Sequence, residues 1–251
     1  MNKAFLGAMG LVAVGIAPAV AADLPARTYT KAPAIIAAVY DWSGFYIGLN
    51  GGGASSRECY TIFSVAGAAV NPNSEGCHSA TGAVAGGQIG YRWQASNWVF
   101  GVEGQGDWAN LKGSNASLTA VVPYTNQTKI NSIGLFTGQI GYTWNSVLLY
   151  LKGGAAVTNN SYSSFFTATG VAFNQASDTR WGGAVGTGIE FGFAPNWSVG
   201  LEYDHLFMGN PSVTFPATAI AVTRSDNIRQ GVDMGTVRVN YRFGGPVIAK
   251  Y

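Results

Sequence analysis

Three short turns shouldered by aromatic residues constrain this chain more than any other feature. Tyr91-Arg92-Trp93 stops, residues 94–97 follow, and Trp98-Val99-Phe100 begins. The arrangement returns around 144–146, after Tyr142, and around 194–196, ahead of Trp197. On either side of each turn the residues alternate with the two-residue period of a β-strand. Val147, Leu149 and Leu151 oppose Tyr150 and Lys152; Trp197, Val199, Leu201 and Tyr203 oppose Glu202 and Asp204. Segments of this kind cover 44–53, 81–93, 98–109, 129–143, 147–158, 179–193, 197–207 and 231–243. Three short turns interleave with four long links, at 54–80, 110–128, 159–178 and 208–230. In an up-and-down meander that gathers the short turns at one end and the long links at the other. The pattern predicts an all-β fold over 44–251: an eight-stranded antiparallel up-and-down transmembrane β-barrel with three short periplasmic turns and four long extracellular loops.

Composition agrees with strands. The chain carries 35 glycines, 13 Phe, 12 Tyr and 7 Trp in 251 residues. Glycine weakens helices and aromatic residues favour sheets. Charged residues make up only 10%, and the net charge of +2 comes without a basic cluster, which argues against nucleic acid as a partner.

The first residues read as an export signal. Met1-Asn2-Lys3 is a positive head, Ala4 to Val14 is apolar, and Ala19-Val20-Ala21 is a small-x-small cleavage site. Residues 1–21 are therefore expected to be removed and 22–43, with Pro25 and Pro33, to form an extended periplasmic lead-in. No later stretch supplies 18 consecutive apolar residues. Export to an oxidising compartment makes a Cys59–Cys77 disulfide the expectation. A metal site there would lack convergent ligands, His78 being the only histidine nearby.

Alternation assigns roles to the charges and the tryptophans. Glu103, Asp107, Lys152, Arg180, Glu190, Glu202, Asp204, Arg238 and Arg242 alternate with apolar neighbours, so they point into the barrel and are expected to pair there. In the fourth segment Leu135 and Gln139 share one face and Ser132 and Phe136 the other, so its inward face stays unassigned. Trp93, Trp98, Trp144 and Trp197 lie at the short-turn end, where indoles suit a bilayer interface; they are expected to form an aromatic girdle. The alternative is a soluble lipocalin-like or sandwich core, which does not need aromatics at each tight turn. Lys112, Lys129, Arg224 and Arg229, near the outer loop ends, could meet lipid phosphates or be solvated surface charge.

Five stretches carry a family likeness: "DWSGFYIGLNGGG" (41–53), "GGQIGYRWQ" (86–94), "GVEGQGDWA" (101–109), "FTGQIGYTW" (136–144) and "VNYRFGGPVIAKY" (239–251). Together they resemble the small outer-membrane proteins of alpha-proteobacteria, the 25/31-kilodalton group of brucellae and rhizobia with OmpA-like barrels. The resemblance implies an abundant envelope protein in the outer membrane, among lipid and lipopolysaccharide. It also implies insertion by the barrel-assembly machinery, which reads alternating aromatics in the last strand. The matching residues are Tyr241 and Phe243, with Tyr251 as a second aromatic end beyond Pro246. Some relatives resemble haem-binding surface proteins; no catalytic residues or cofactors carry over.

The functional expectation is a non-catalytic structural barrel that supports envelope integrity and surface display. The alternatives are a narrow pore for ions or small solutes, or ligand binding by the loops, haem included, with His78 as the better axial candidate than His205. Adjacent Asp204 and His205 face opposite sides of a strand and cannot form a dyad. Ser55 and Ser56 lack a base, and Gly51–Gly53 lacks the rest of a phosphate loop. Oligomeric state is left open.

Overall fold

Hydrogen bonding continues far past the point where apolar alternation fades. In the computed structural model, which describes residues 40–118 and 123–244, the strands are β1 (Gly44–Val65), β2 (Ala68–Ala95), β3 (Trp98–Ala116), β4 (Tyr124–Trp144), β5 (Val147–Phe166), β6 (Ala172–Ala194), β7 (Trp197–Phe207), β8 (Ser212–Phe215) and β9 (Arg224–Phe243). All lie in the unit Ala38–Tyr251. The expected signal peptide at 1–21, most of the lead-in and Tyr251 fall outside the described residues.

The eight-stranded expectation is corrected: the strands form one nine-stranded antiparallel sheet, ordered β1-β2-β3-β4-β5-β6-β7-β9-β8. The extra strand, β8, lies inside the expected loop 208–230 and pairs only with the outer end of β9, from Ser212↔Asn227 to Phe215↔Arg224. Four residues between Pro211 and Pro216 are too short to announce a period. β1 also pairs with β9, from Phe45↔Phe243 to Val65↔Arg224, so the sheet curls around an interior.

Most of the expected loop length is strand as well. The link 54–80 is a hairpin that turns on Ala66 and Gly67, both with positive φ (52° and 80°), the backbone that a two-residue hairpin turn favours. Polar residues had marked this link as a loop. Beyond a membrane the outward face of a strand no longer needs apolar side chains, so pairing continues after the alternation stops.

The ambiguous fourth segment has a local cause. Ile130↔Asn160 and Ser132↔Asn159 leave Asn131 as an extra residue, a β-bulge. It reverses the parity, so that Ile133 and Leu135 on one side of it and Ile130 on the other all face inward.

Cys59 and Cys77 are directly opposite on β1 and β2 and form a disulfide, with Cα atoms 4.1 Å apart. Above them the pairing shifts register twice, and β3 pairs with β2 only from Thr81 inward. Reduction is therefore expected to expose 68–76 to added protease while the lower strands stay resistant. Identical cleavage with and without reductant would contradict this.

Candidate functional site

Inward positions of the lower strands are charged, and the sheet brings those charges together. Arg238 on β9 pairs with both Glu103 on β3 and Glu202 on β7. Lys152 on β5 lies 2.7 Å from Glu202, 3.3 Å from Asp204 and 3.5 Å from Glu103. Arg92 on β2 reaches Glu190 on β6 at 2.8 Å, and Asn240 donates to the same carboxylate at 2.9 Å. All of these side chains are buried. Buried charges are costly unless paired, and here cations alternate with carboxylates across the interior.

Two tyrosines brace the network. Tyr46 donates to Glu103 at 2.6 Å with Arg92 over its ring at 4.5 Å, and Tyr150 donates to Glu202. Each lies over an inward glycine. A Cβ on Gly90 would come within 2.5 Å of the Tyr46 hydroxyl, and one on Gly188 within 2.4 Å of that of Tyr150. These glycines make room for side chains that span the interior.

Above this layer the interior changes character. Ala54, Val84, Leu111, Leu135, Ala156, Ala184, Leu206 and Met234 form one buried apolar cluster, with contributions from β1–β7 and β9. Beyond it come Tyr60, Tyr162, Val213, Phe215 and Ile228, and a second polar group in which Arg224 meets Asp226 at 2.8 Å and Glu75 at 3.5 Å.

The outward face is the reverse. Trp93, Trp98, Trp144 and Trp197 are each about half exposed at the short-turn end. Tyr142 lies between two of them, with ring centroids 5.4 Å from Trp98 and 4.8 Å from Trp144, and Trp197 lies 5.0 Å from Tyr241. A second set of exposed aromatics, Trp108, Phe136, Trp181 and Phe207, lies further up the same face. From Trp98 to Trp108, ten residues rising ~3.3 Å each along a strand tilted by ~40° project about 25 Å, the height of the apolar band of an outer-membrane barrel.

A family model described as "Outer membrane protein beta-barrel domain" matches residues 9–243. The chain belongs to this outer-membrane β-barrel family. It is similar to the 31 kDa outer-membrane immunogenic protein of Brucella melitensis biotype 1, at 27% identity over 90% of this chain and 93% of that one. It is 26% identical to the 25 kDa outer-membrane immunogenic protein of Brucella abortus biovar 1, over 90% and 92%. It is 31% identical to the 22 kDa outer membrane protein of Rhizobium leguminosarum bv. viciae, over 47% and 50%. The protein is a small outer-membrane protein of this alpha-proteobacterial group, and these relatives are not named as enzymes.

Within this outer-membrane barrel protein, five of the nine charges expected inside meet in one cluster: Glu103, Lys152, Glu202, Asp204 and Arg238. Glu190 joins Arg92, a residue absent from the expected set although it alternates with Tyr91 and Trp93. Asp107 accepts from Gln105 at 2.8 Å. Arg180 pairs with Asp178 at 2.9 Å and donates to the Ile228 carbonyl, on the far side of the apolar cluster. Arg242 donates to the carbonyls of Ser43 and Pro195 at the short-turn end and lies 3.9 Å from Asp41. Tyr241 and Phe243 face outward at the end of β9, with Phe243 beside Phe45.

Three readings of the outer ends change. Arg224 is buried and paired, so it neither faces lipid nor is solvated. His78 is buried and its ring nitrogens are engaged by Asn115 at 2.8 Å and Thr128 at 3.2 Å. In the expected loops 54–80, 159–178 and 208–230, the aromatics Tyr60, Tyr162, Phe173 and Phe215 are buried on strands. Among the described residues, no group of three or more His, Cys, Asp or Glu is placed to hold a metal ion.

Proposed function

We propose that this protein is a structural, non-conducting component of the outer membrane that contributes to envelope integrity and carries its extended hairpins beyond the membrane surface. The filled interior carries this reading. A charge network and an apolar cluster from β1–β7 and β9 lie in series across the path that a pore would take. Ions do not cross a packed apolar layer, which argues against the narrow-pore alternative. With both His78 nitrogens engaged, the geometry gives no support to haem ligation by that residue.

In this reading the tryptophans of the short-turn end form the periplasmic girdle, the inward charges hold the strands together, and Tyr241 with Phe243 presents the last strand to the assembly machinery. Lipid and lipopolysaccharide are the surroundings of the outward face. Exposure of the hairpins at the cell surface would account for recognition like that in the relatives' names.

Planar-bilayer recording tests the reading. The purified protein is expected to give no discrete channel steps in 1 M KCl. Replacing Leu135, Leu206 and Met234 together with glycine is expected to introduce them. Steps of constant size from the wild-type protein would overturn the proposal.

A further inference from the structure

Ten of the described residues are lysine or arginine, and they divide sharply. Arg92, Lys152, Arg180, Arg224, Arg238 and Arg242 are buried and each faces a carboxylate. Arg57, Lys112, Lys129 and Arg229 are exposed, and among the described residues none has an ion-pair partner. All four occupy outward positions, Arg229 and Arg57 on the adjacent strands β9 and β1, Lys112 and Lys129 on the adjacent strands β3 and β4, with β2 between the two pairs; both pairs lie further from the short turns than Trp108. The short-turn margin has no counterpart on its outward face among the described residues.

Their placement sets like charges side by side. Lys112 is directly opposite Lys129. Arg57 is opposite Gly231 and Arg229 opposite Cys59, which makes the two arginines diagonal neighbours. Such pairs oppose folding unless an anion lies between them. Arg57 and Arg229 also border an outward cavity of about 710 Å³, lined further by His205, Phe207, Asn210 and Asp233. The one carboxylate there is already engaged: Asp233 accepts from Tyr203 at 2.6 Å and lies 2.7 Å from His205. The cavity therefore offers two guanidinium groups beside an apolar wall, Phe207, which shares the Gly231 row with Arg57. Guanidinium groups match phosphate oxygens in a bidentate fashion.

We propose that this cavity at the β7–β9–β1 seam binds a phosphate group of an outer-leaflet glycolipid, the lipopolysaccharide of the membrane, with Arg57 and Arg229 as its ligands. The Lys112–Lys129 pair, one strand away across β2, offers a second phosphate contact on the same outward face. The assignment rests on the outer-membrane reading of the outward face. It supplies a site where that reading supplies only surroundings.

The test compares the wild-type protein with R57Q/R229Q, folded in detergent and titrated with lipopolysaccharide, with the same material stripped of phosphate, and with inorganic phosphate. Band migration of unheated samples in SDS establishes first that each variant is folded, which keeps failure of the barrel reading distinct from failure of the site. Wild-type protein is expected to bind the phosphorylated glycolipid at least tenfold more tightly than R57Q/R229Q, and more tightly than the stripped form by a similar factor. Equal binding of stripped and intact glycolipid by the wild type overturns the proposal even if the double variant does not fold. So does unchanged binding by the folded variant. Inorganic phosphate competing as well as the glycolipid would overturn it too, since the cavity would then read a soluble anion.

Discussion

Replacing Arg238 with alanine is expected to destabilise the folded protein by about 3–5 kcal/mol, the cost of breaking a buried pair from one side. Arg238 is only 1% exposed and lies between Glu103 and Glu202. Its removal leaves both carboxylates to Lys152, which already faces Asp204. The urea midpoint, read from the fraction migrating as folded in SDS, should fall accordingly. The second substitution in R238A/E202Q removes one orphaned charge, so the double variant is expected to lose less than R238A alone. Groups that share a network are not additive, and the sign of that departure is the informative part. A wild-type midpoint for R238A would mean that the inward charges do not hold the strands together.

Arginine at Val102 should be nearly as damaging for a different reason. Val102 is 52% exposed and lies midway between Trp98 and Trp108 on the outward face of β3. In a water-soluble protein such a position tolerates arginine at almost no cost. At the midplane of a bilayer the same change costs about 2–4 kcal/mol, falling to about 0–1 kcal/mol near the interface. Val102→Arg is therefore expected to lower stability in lipid vesicles by the larger amount, and Asn110→Arg, beyond Trp108, by the smaller. Equal effects at both positions would contradict a membrane-facing band.

What the sequence made legible follows from where the solvent changes. Along the lower strands one face meets lipid and the other a polar interior, so hydropathy alternates with period two. Glu103, Lys152, Glu202 and Arg238 could be read as inward residues from their neighbours alone. Arg92, between Tyr91 and Trp93, and Tyr46, between Phe45 and Ile47, carry the same alternation and belong to the same inward set. Above Trp108 the outward face turns polar while the inward face mixes apolar and polar residues, so the regular alternation is lost and strand is hard to tell from loop. Glu75, Arg224 and Asp226 sit there, which is why a buried cluster was invisible and Arg224 was assigned to the surface. β8 escaped for want of length, and the inward face of β4 because one extra residue, Asn131, reverses its parity. The apolar cluster is assembled from residues such as Ala54, Leu135 and Met234 that are far apart in the chain. Only the register of the sheet puts them at one level.

In this reading the outward face of these strands lies in the outer membrane and the charged face inside a folded barrel-type protein. Migration in SDS of outer-membrane extracts, unheated against boiled, tests it most directly. A sheet whose first and last long strands pair around a packed interior resists SDS at room temperature, so the band is expected to shift on boiling and to be recovered with the outer membrane. Recovery in the soluble periplasmic fraction, with the same migration before and after heating, would contradict it.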